Sequence, residues 1–195
     1  MNIYLIRHGE TDWNLYGKVQ GREDVPLNET GKEQSTRCAT ALQNSEIRII
    51  VTSPLSRAVQ TANIISRSTG STEIIIDDGL IERDFGKMSG MTYDRRKYFD
   101  TFDYEETMEP LDTLSKRVIE CIHKYAIKYY DQDIVMISHG AAINSVIMVL
   151  SDGEKGSGKT RLKNACISIL TYEDKGLKLG SYNLSPEEFM VLNRA

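Results

Sequence analysis

The sequence predicts an α/β fold, a three-layer α/β/α sandwich around a mostly parallel sheet. Three observations carry that expectation. Four short runs rich in Ile and Val, at residues 3–6, 47–51, 73–76 and 134–137, lack polar alternation, as strands do when both faces of a parallel sheet are covered. Stretches with helical spacing separate these runs, so strand and helix alternate along the chain. With 195 residues, 40% apolar and 27% charged, and only 14 Gly and 4 Pro, the chain is long and apolar enough for one ordinary globular domain with a full core.

Taken in order, the strand at 3–6 leads to a helix over 30–43, the strand at 47–51 to a helix over 55–68, and the strand at 73–76 to a segment of a different kind. Residues 77–109 are poorly periodic and begin with Gly79, Gly86 and Gly90, which reads as an active-site insertion rather than a second domain. A helix over 110–130 follows, with Leu111, Leu114, Val118, Cys121, Ile122 and Tyr125 on one stripe and Pro110 acceptable in its first turn. The strand at 134–137 and a helix over 141–150 complete the alternation. Two last strand-like runs, 166–172 and 177–182, are separated by Asp174, Lys175 and Gly176, a hairpin turn that supplies an antiparallel edge. There is no internal repeat, low-complexity tract or linker, so residues 1–195 are expected to form a single domain.

A formal net charge of −4 argues against the sequence-independent grip on nucleic acid that a basic stripe provides, so an anionic substrate needs a local cationic pocket. The first apolar run meets Arg7 and His8, too soon for a signal peptide, and no run approaches membrane-spanning length. Cys38, Cys121 and Cys166 are an odd number at wide spacing, as expected of reduced core thiols in a cytoplasmic protein.

The residues with chemical potential follow the apolar runs. Arg7 and His8 follow Ile6, Thr52 and Ser53 follow Val51, and Ser138 and His139 follow Ile137. All therefore lie at the carboxyl ends of predicted strands, where open α/β sheets bind ligands. Arg57 sits in the first turns of the helix after Ser53, and Glu82 lies on the loop after the third run. Two guanidiniums match phosphate oxygens as bidentate forks. A neutral imidazole, kept so by adjacent Arg charges, is a covalent nucleophile. A carboxylic acid protonates a leaving alcohol and afterwards activates water.

The same residues stand in a recognisable series. L-I-R-H-G-E-T-D-W-N at 5–14, G-K-V-Q-G-R-E-D-V-P-L-N-E-T-G at 17–31, T-S-P-L-S-R-A-V-Q-T-A at 52–62, L-I-E-R-D-F-G at 80–86 and S-H-G at 138–140 resemble, in order, the motifs of the histidine phosphatase superfamily, which includes cofactor-dependent phosphoglycerate mutases. The resemblance implies a phosphoglycerate mutase-like fold and phosphorylation of His8. It also implies phosphoryl binding by Arg7, Arg57 and His139, and proton transfer by Glu82. Asn14, Gln20 and Gly21 fall where the family's first loop touches substrate oxygens, and Gly140 opens a helix whose N–H groups face a phosphate. The implied activity is hydrolysis of a small phosphorylated metabolite without metal or organic cofactor, the physiological ester being unspecified.

Two departures bear on that expectation. The phosphatase branch often carries Gly-Glu-Ser where this chain has Met108-Glu109-Pro110. Mutases of the family have a longer insertion between the acid/base Glu and the second His, with an Arg pair on it; Arg95 and Arg96 form such a pair here. A mutase that returns the phosphoryl group to a second hydroxyl is thus the alternative reading, and a non-catalytic phosphate-binding domain a third. His123, mid-helix without a motif, reads as a surface residue, and Trp13 as packing. Residues 153–160, G-E-K-G-S-G-K-T, match the P-loop pattern literally, but a strand before and a helix after are required. Here a helix precedes and a strand follows, so the segment is read as a flexible Gly-rich loop.

Overall fold

The computed structural model describes residues 1–70, 73–92 and 106–193. A six-stranded sheet has the order β3-β2-β4-β1-β5-β6. Its strands are β1 (Asn2–Arg7), β2 (Ile49–Thr52), β3 (Glu73–Ile76), β4 (Ile134–Ser138), β5 (Ile167–Glu173) and β6 (Gly176–Leu179). The first four are mutually parallel, and β5 and β6 extend the sheet antiparallel, as the hairpin signal predicts. Among the described residues six α-helices accompany them: α1 (Asp12–Leu15), α2 (Glu29–Leu42), α3 (Ser56–Thr69), α4 (Leu111–Lys128), α5 (Gly140–Leu150) and α6 (Pro186–Leu192). No helix among the described residues is long and apolar enough to cross a membrane.

Strand geometry sends alternate side chains to opposite faces, and each face has its own core. Ile3, Leu5, Val51 and Met136 pack with Leu114, Val118 and Ile122 of α4 and Ile143 and Ile147 of α5. Tyr4, Ile6, Ile50, Val135 and Ile137 pack on the other side with Cys38 and Leu42 of α2 and Ala62 and Ile65 of α3. Both faces of β4 are covered, so all five of its residues are buried. Each such Ile or Val contributes roughly 1.5–3 kcal/mol through burial. The edge strand β3 departs from expectation: Glu73 and Ile76 are exposed, because the strand borders β2 alone.

Two helices have no counterpart in the periodicity. Both are too short to show a 3.6-residue stripe, and both are fixed by capping boxes, Thr11 with Asn14 in α1 and Ser185 with Glu188 in α6. Such reciprocal caps satisfy backbone N–H groups of the first turn, which no helix bonds internally. In the hairpin, Asp174 and Lys175 take left-handed φ values of 49° and 61°, so these two residues alone form the turn and Gly176 already pairs with Glu173. The last strand ends at Leu179 rather than 182, because Gly180 and Ser181 both bond Ile169 and interrupt the ladder. The start of the 77–109 segment joins the first loop through backbone bonds between Val19 and both Gly90 and Met91.

Candidate active site

The central strands β2, β4 and β1 lie side by side, and their register aligns Arg7 with Ser138 and Thr52 with Ile137. Residues leaving these carboxyl ends are consequently neighbours. His8 N donates to Ser138 O and Ser53 N to Ile137 O, which continues the sheet's bonding one residue into each loop.

His8 is 2% exposed, and its Nδ1 lies 2.6 Å from the carbonyl oxygen of Gly9. A carbonyl only accepts, so Nδ1 carries the proton and the Nε2 lone pair is left to face Arg57, whose Nε donates to it at 3.2 Å. The same Nε donates to Nδ1 of His139 at 3.2 Å. Because Nδ1 of His139 accepts, this ring carries its proton on the opposite nitrogen, Nε2, which donates to Ser53 Oγ at 2.7 Å. Burial, then the charges of Arg57 and Arg7, push the pKa of His8 well below the usual imidazole range. Burial, then Arg57 and His8, do the same for His139. Two neutral rings with opposite tautomers therefore flank one guanidinium.

Arg57 is 1% exposed. Its Nη1 donates to Glu23 O at 2.7 Å and its Nη2 to Gly21 O at 2.8 Å. The fork expected to grip phosphate thus ends on two first-loop carbonyls, and the Nε edge faces the histidines. Burial pushes its pKa down to about 10, so it stays charged at neutral pH. Arg7 Nη1 is held 2.6 Å from Leu162 O, while its buried Nε has no hydrogen-bond partner among the described residues.

Glu82 sits on the amino end of α5. Its Oε1 accepts from the N–H groups of Arg83 at 2.9 Å and Ala142 at 3.0 Å, and its Oε2 from Ala141 at 3.1 Å. The helix start that follows Gly140 is therefore bonded to this carboxylate. Behind it, Arg117 of α4 donates to the carbonyls of Gly79, Ile81 and Glu82 and grips both oxygens of Glu109, at 2.7 and 2.9 Å. Burial opposes ionisation of Glu109, but hydrogen bonds and charge from Arg117, the N–H of Asp84 and Arg22 outweigh it and hold the carboxyl below its usual range. Glu109 is thus a buried anchor that does not line the pocket.

Arg7, His8, Asn14, Gln20, Gly21, Arg57, Glu82 and Gly140 all line one cavity of about 990 Å³. His139 lies behind them, fully buried. Asn14 Oδ1 accepts from Thr11 N and from Asn164 Nδ2, Gln20 Oε1 accepts from Thr11 Oγ1, and Gly21 takes a φ of +55°. Arg95 and Arg96 lie outside the described residues. His123 is half-buried rather than a surface residue, its ring edge-on to Tyr172 with centroids 5.7 Å apart. Burial raises the thiol pKa of Cys121 to about 12 and of Cys166 to about 11, and all three cysteines are buried, as expected of core thiols.

The P-loop-like segment is not followed by a helix, and its parts are used internally. Lys159 Nζ bonds Gly153 O at 2.7 Å, Thr160 Oγ1 accepts from Gly156 N, and Thr160 O accepts from Asn144 Nδ2 of α5. Gly156 is pressed so closely to α5 that a Cβ would lie 2.3 Å from Asn144 O. The loop forms a cavity wall over residues 157–164. Sequence reasoning missed this wall and Arg117, and it placed Ser53 at a strand end without giving it a role. Ser53 stands inside a quoted motif, so its strand-end position was a usable signal; one Arg on a polar helix face offers none.

A sequence profile of the histidine phosphatase superfamily (branch 1) matches residues 3–185. The chain belongs to that superfamily. Among its relatives is a Bacillus subtilis protein named "uncharacterized phosphatase PhoE", 36% identical over 183 residues that cover 94% of each chain. Phosphoglycerate mutase-like protein 4 of Arabidopsis thaliana is 34% identical over 74% of this chain and 68% of its own. Among solved structures, the phosphoserine phosphatase of Entamoeba histolytica in complex with 3-phosphoglyceric acid is similar with a TM-score of 0.83 at 30% identity, covering 93% of this chain and 96% of that one. The superfamily thus brings phosphatases and mutase-like proteins together on this fold.

Proposed function

We propose that this chain hydrolyses small phosphate monoesters through a phosphohistidine on His8. The carrying observation is the lock of His8 Nδ1 on Gly9 O, which presents a neutral Nε2 lone pair beside two guanidiniums in a cavity that Glu82 also lines. Nε2 attacks phosphorus as the P–O ester bond breaks, and Glu82, as the acid, protonates the departing alkoxide. Glu82 then takes a proton from water, the water oxygen attacks phosphorus, the N–P bond breaks and phosphate leaves with Glu82 reprotonated. Arg7 and Arg57 offset the phosphoryl charge in the role a metal ion otherwise fills, and His139 holds the opposite side of Arg57.

Rapid quenching after exposure to labelled substrate is expected to leave label on His8 as an acid-labile, base-stable adduct. Label on Ser, Thr or Cys would overturn the mechanism. Activity should survive excess EDTA; loss on chelation with recovery on adding a divalent ion would point to a metallophosphatase. A mutase would instead need priming by a bisphosphorylated sugar acid and return the phosphoryl group to a second hydroxyl.

A further inference from the structure

The cavity holds far more positive charge than one phosphoryl group needs. Besides Arg7 and Arg57, it is lined by Lys18, Arg83, Lys159, Arg161 and Lys163, while Glu82 is its one carboxylate among the described residues. This happens in a chain whose net charge is −4, so the cations are concentrated there rather than spread evenly. A cleft lined by one sign of charge focuses the field on its ligand.

Three of the five additional cations have partners. Arg83 Nε bonds Glu109 O, Lys163 pairs with Glu188 at 2.8 Å, and Lys159 is folded onto Gly153 O. Lys18 and Arg161 have no ion pair among the described residues. Lys18 lies half-buried with its Nζ 5.5 Å above the Trp13 ring. Arg161 is exposed on the wall formed by residues 157–164. That wall is tied to the phosphoryl end at two points, through Arg7 Nη1 to Leu162 O and through Asn164 Nδ2 to both His8 O and Asn14 Oδ1. Its distance from the reacting phosphorus is thereby set by the same residues that build the phosphoryl site.

We propose that Arg161 and Lys18 form a second anion subsite, so that the preferred substrates are phosphate monoesters whose alcohol part carries another anionic group, a carboxylate or a second phosphate. The proposal rests on the phosphatase reading and assigns to the Gly-rich loop the role its P-loop-like sequence misstates. The loop's Lys and Thr fold the wall, and Arg161 just beyond it meets the leaving group.

A matched pair tests this, since 3-phosphoglycerate and glycerol 3-phosphate differ only in a carboxylate against a hydroxymethyl group. Fructose 1,6-bisphosphate against fructose 6-phosphate asks the same of a second phosphate. For the intact chain, kcat/KM is expected to favour the doubly anionic member of at least one pair by on the order of tenfold or more, the size of one charge-assisted hydrogen bond. Arg161→Ala should shrink that ratio by on the order of tenfold, whereas Arg161→Lys should retain most of it. The preference should also weaken with added salt. Ratios near one for both pairs, or an equal loss on both members in Arg161→Ala, would overturn the subsite while leaving the phosphatase reading intact. If no ester is hydrolysed, the phosphatase reading falls; the ratio of dissociation constants for the same pairs, by calorimetry, then judges the subsite alone.

Discussion

Each reactive side chain has its state set by one to three neighbours. Gly9 O fixes the tautomer of His8, Arg57 Nε that of His139, and three backbone N–H groups seat Glu82. In Glu82→Gln the shape survives but the acid is lost. Phosphorylation by an alkyl phosphate should then slow by roughly 10²–10⁴-fold, while p-nitrophenyl phosphate, with its good leaving group, should still give a burst of nitrophenol before slow turnover. An equally slowed burst with both esters would remove Glu82 as the acid. Arg57 shows where residue-level reading ended. Its place near His8 was legible from its position after a strand end, but the direction of its fork depends on the carbonyls of Gly21 and Glu23, which only the folded first loop supplies. Arg57→Lys is accordingly expected to cost at least tenfold in kcat/KM, since an ammonium cannot span both histidines and two carbonyls in fixed directions; an unchanged rate would show that this geometry is not used.

Among the elements, the strands of the central sheet were readable because burial on both faces leaves an unbroken apolar run; β3 forms over the expected residues, and only its burial differs, because it borders an edge. The short helices α1 and α6 were hidden in caps rather than periodicity. The anchoring of the Glu82 loop by α4 was not legible at all, since the bonds of Arg117 go to carbonyls, which carry no side-chain signature. Arg117→Ala would leave the Glu109 carboxylate, 8% exposed, without its bidentate partner. Arg22 and the Asp84 N–H still face that carboxylate, so the loss is about 1.5–3 kcal/mol, the size of a hydrogen bond to a charged group, seen as a lower urea midpoint at unchanged slope. Because three carbonyls of the Glu82 loop lose a donor too, the fall in kcat should be steeper for alkyl than for nitrophenyl esters. Equal falls for both would mean that Arg117 serves stability without positioning the acid.

For the molecule as a whole, the site imposes a pH dependence on folding. Both His8 and His139 are held neutral by burial and by the charge of Arg57, whereas an unfolded imidazole takes up its proton near pH ~6.5. Below that value the unfolded chain binds more protons than the native one, so stability falls as pH falls. The loss continues until the native pKa values are reached. Each histidine gives a slope of about 1.4 kcal/mol per pH unit once its unfolded form is charged, hence about 2.7 for the pair. Carboxylates held below their usual range, such as Glu109, add their own loss only in stronger acid, which leaves the region between pH ~5 and pH ~6.5 to the two rings. Urea unfolding across that interval should show the steep slope, and His8→Asn should remove about half of it whatever its effect on absolute stability. Inorganic phosphate should flatten the slope further, because an anion bound in the cavity beside His8 and Arg57 favours the imidazolium and brings the native pKa of His8 back toward the unfolded one. A flat profile in the unsubstituted chain would contradict the burial of two neutral histidines. A slope that phosphate leaves untouched would contradict anion binding beside His8.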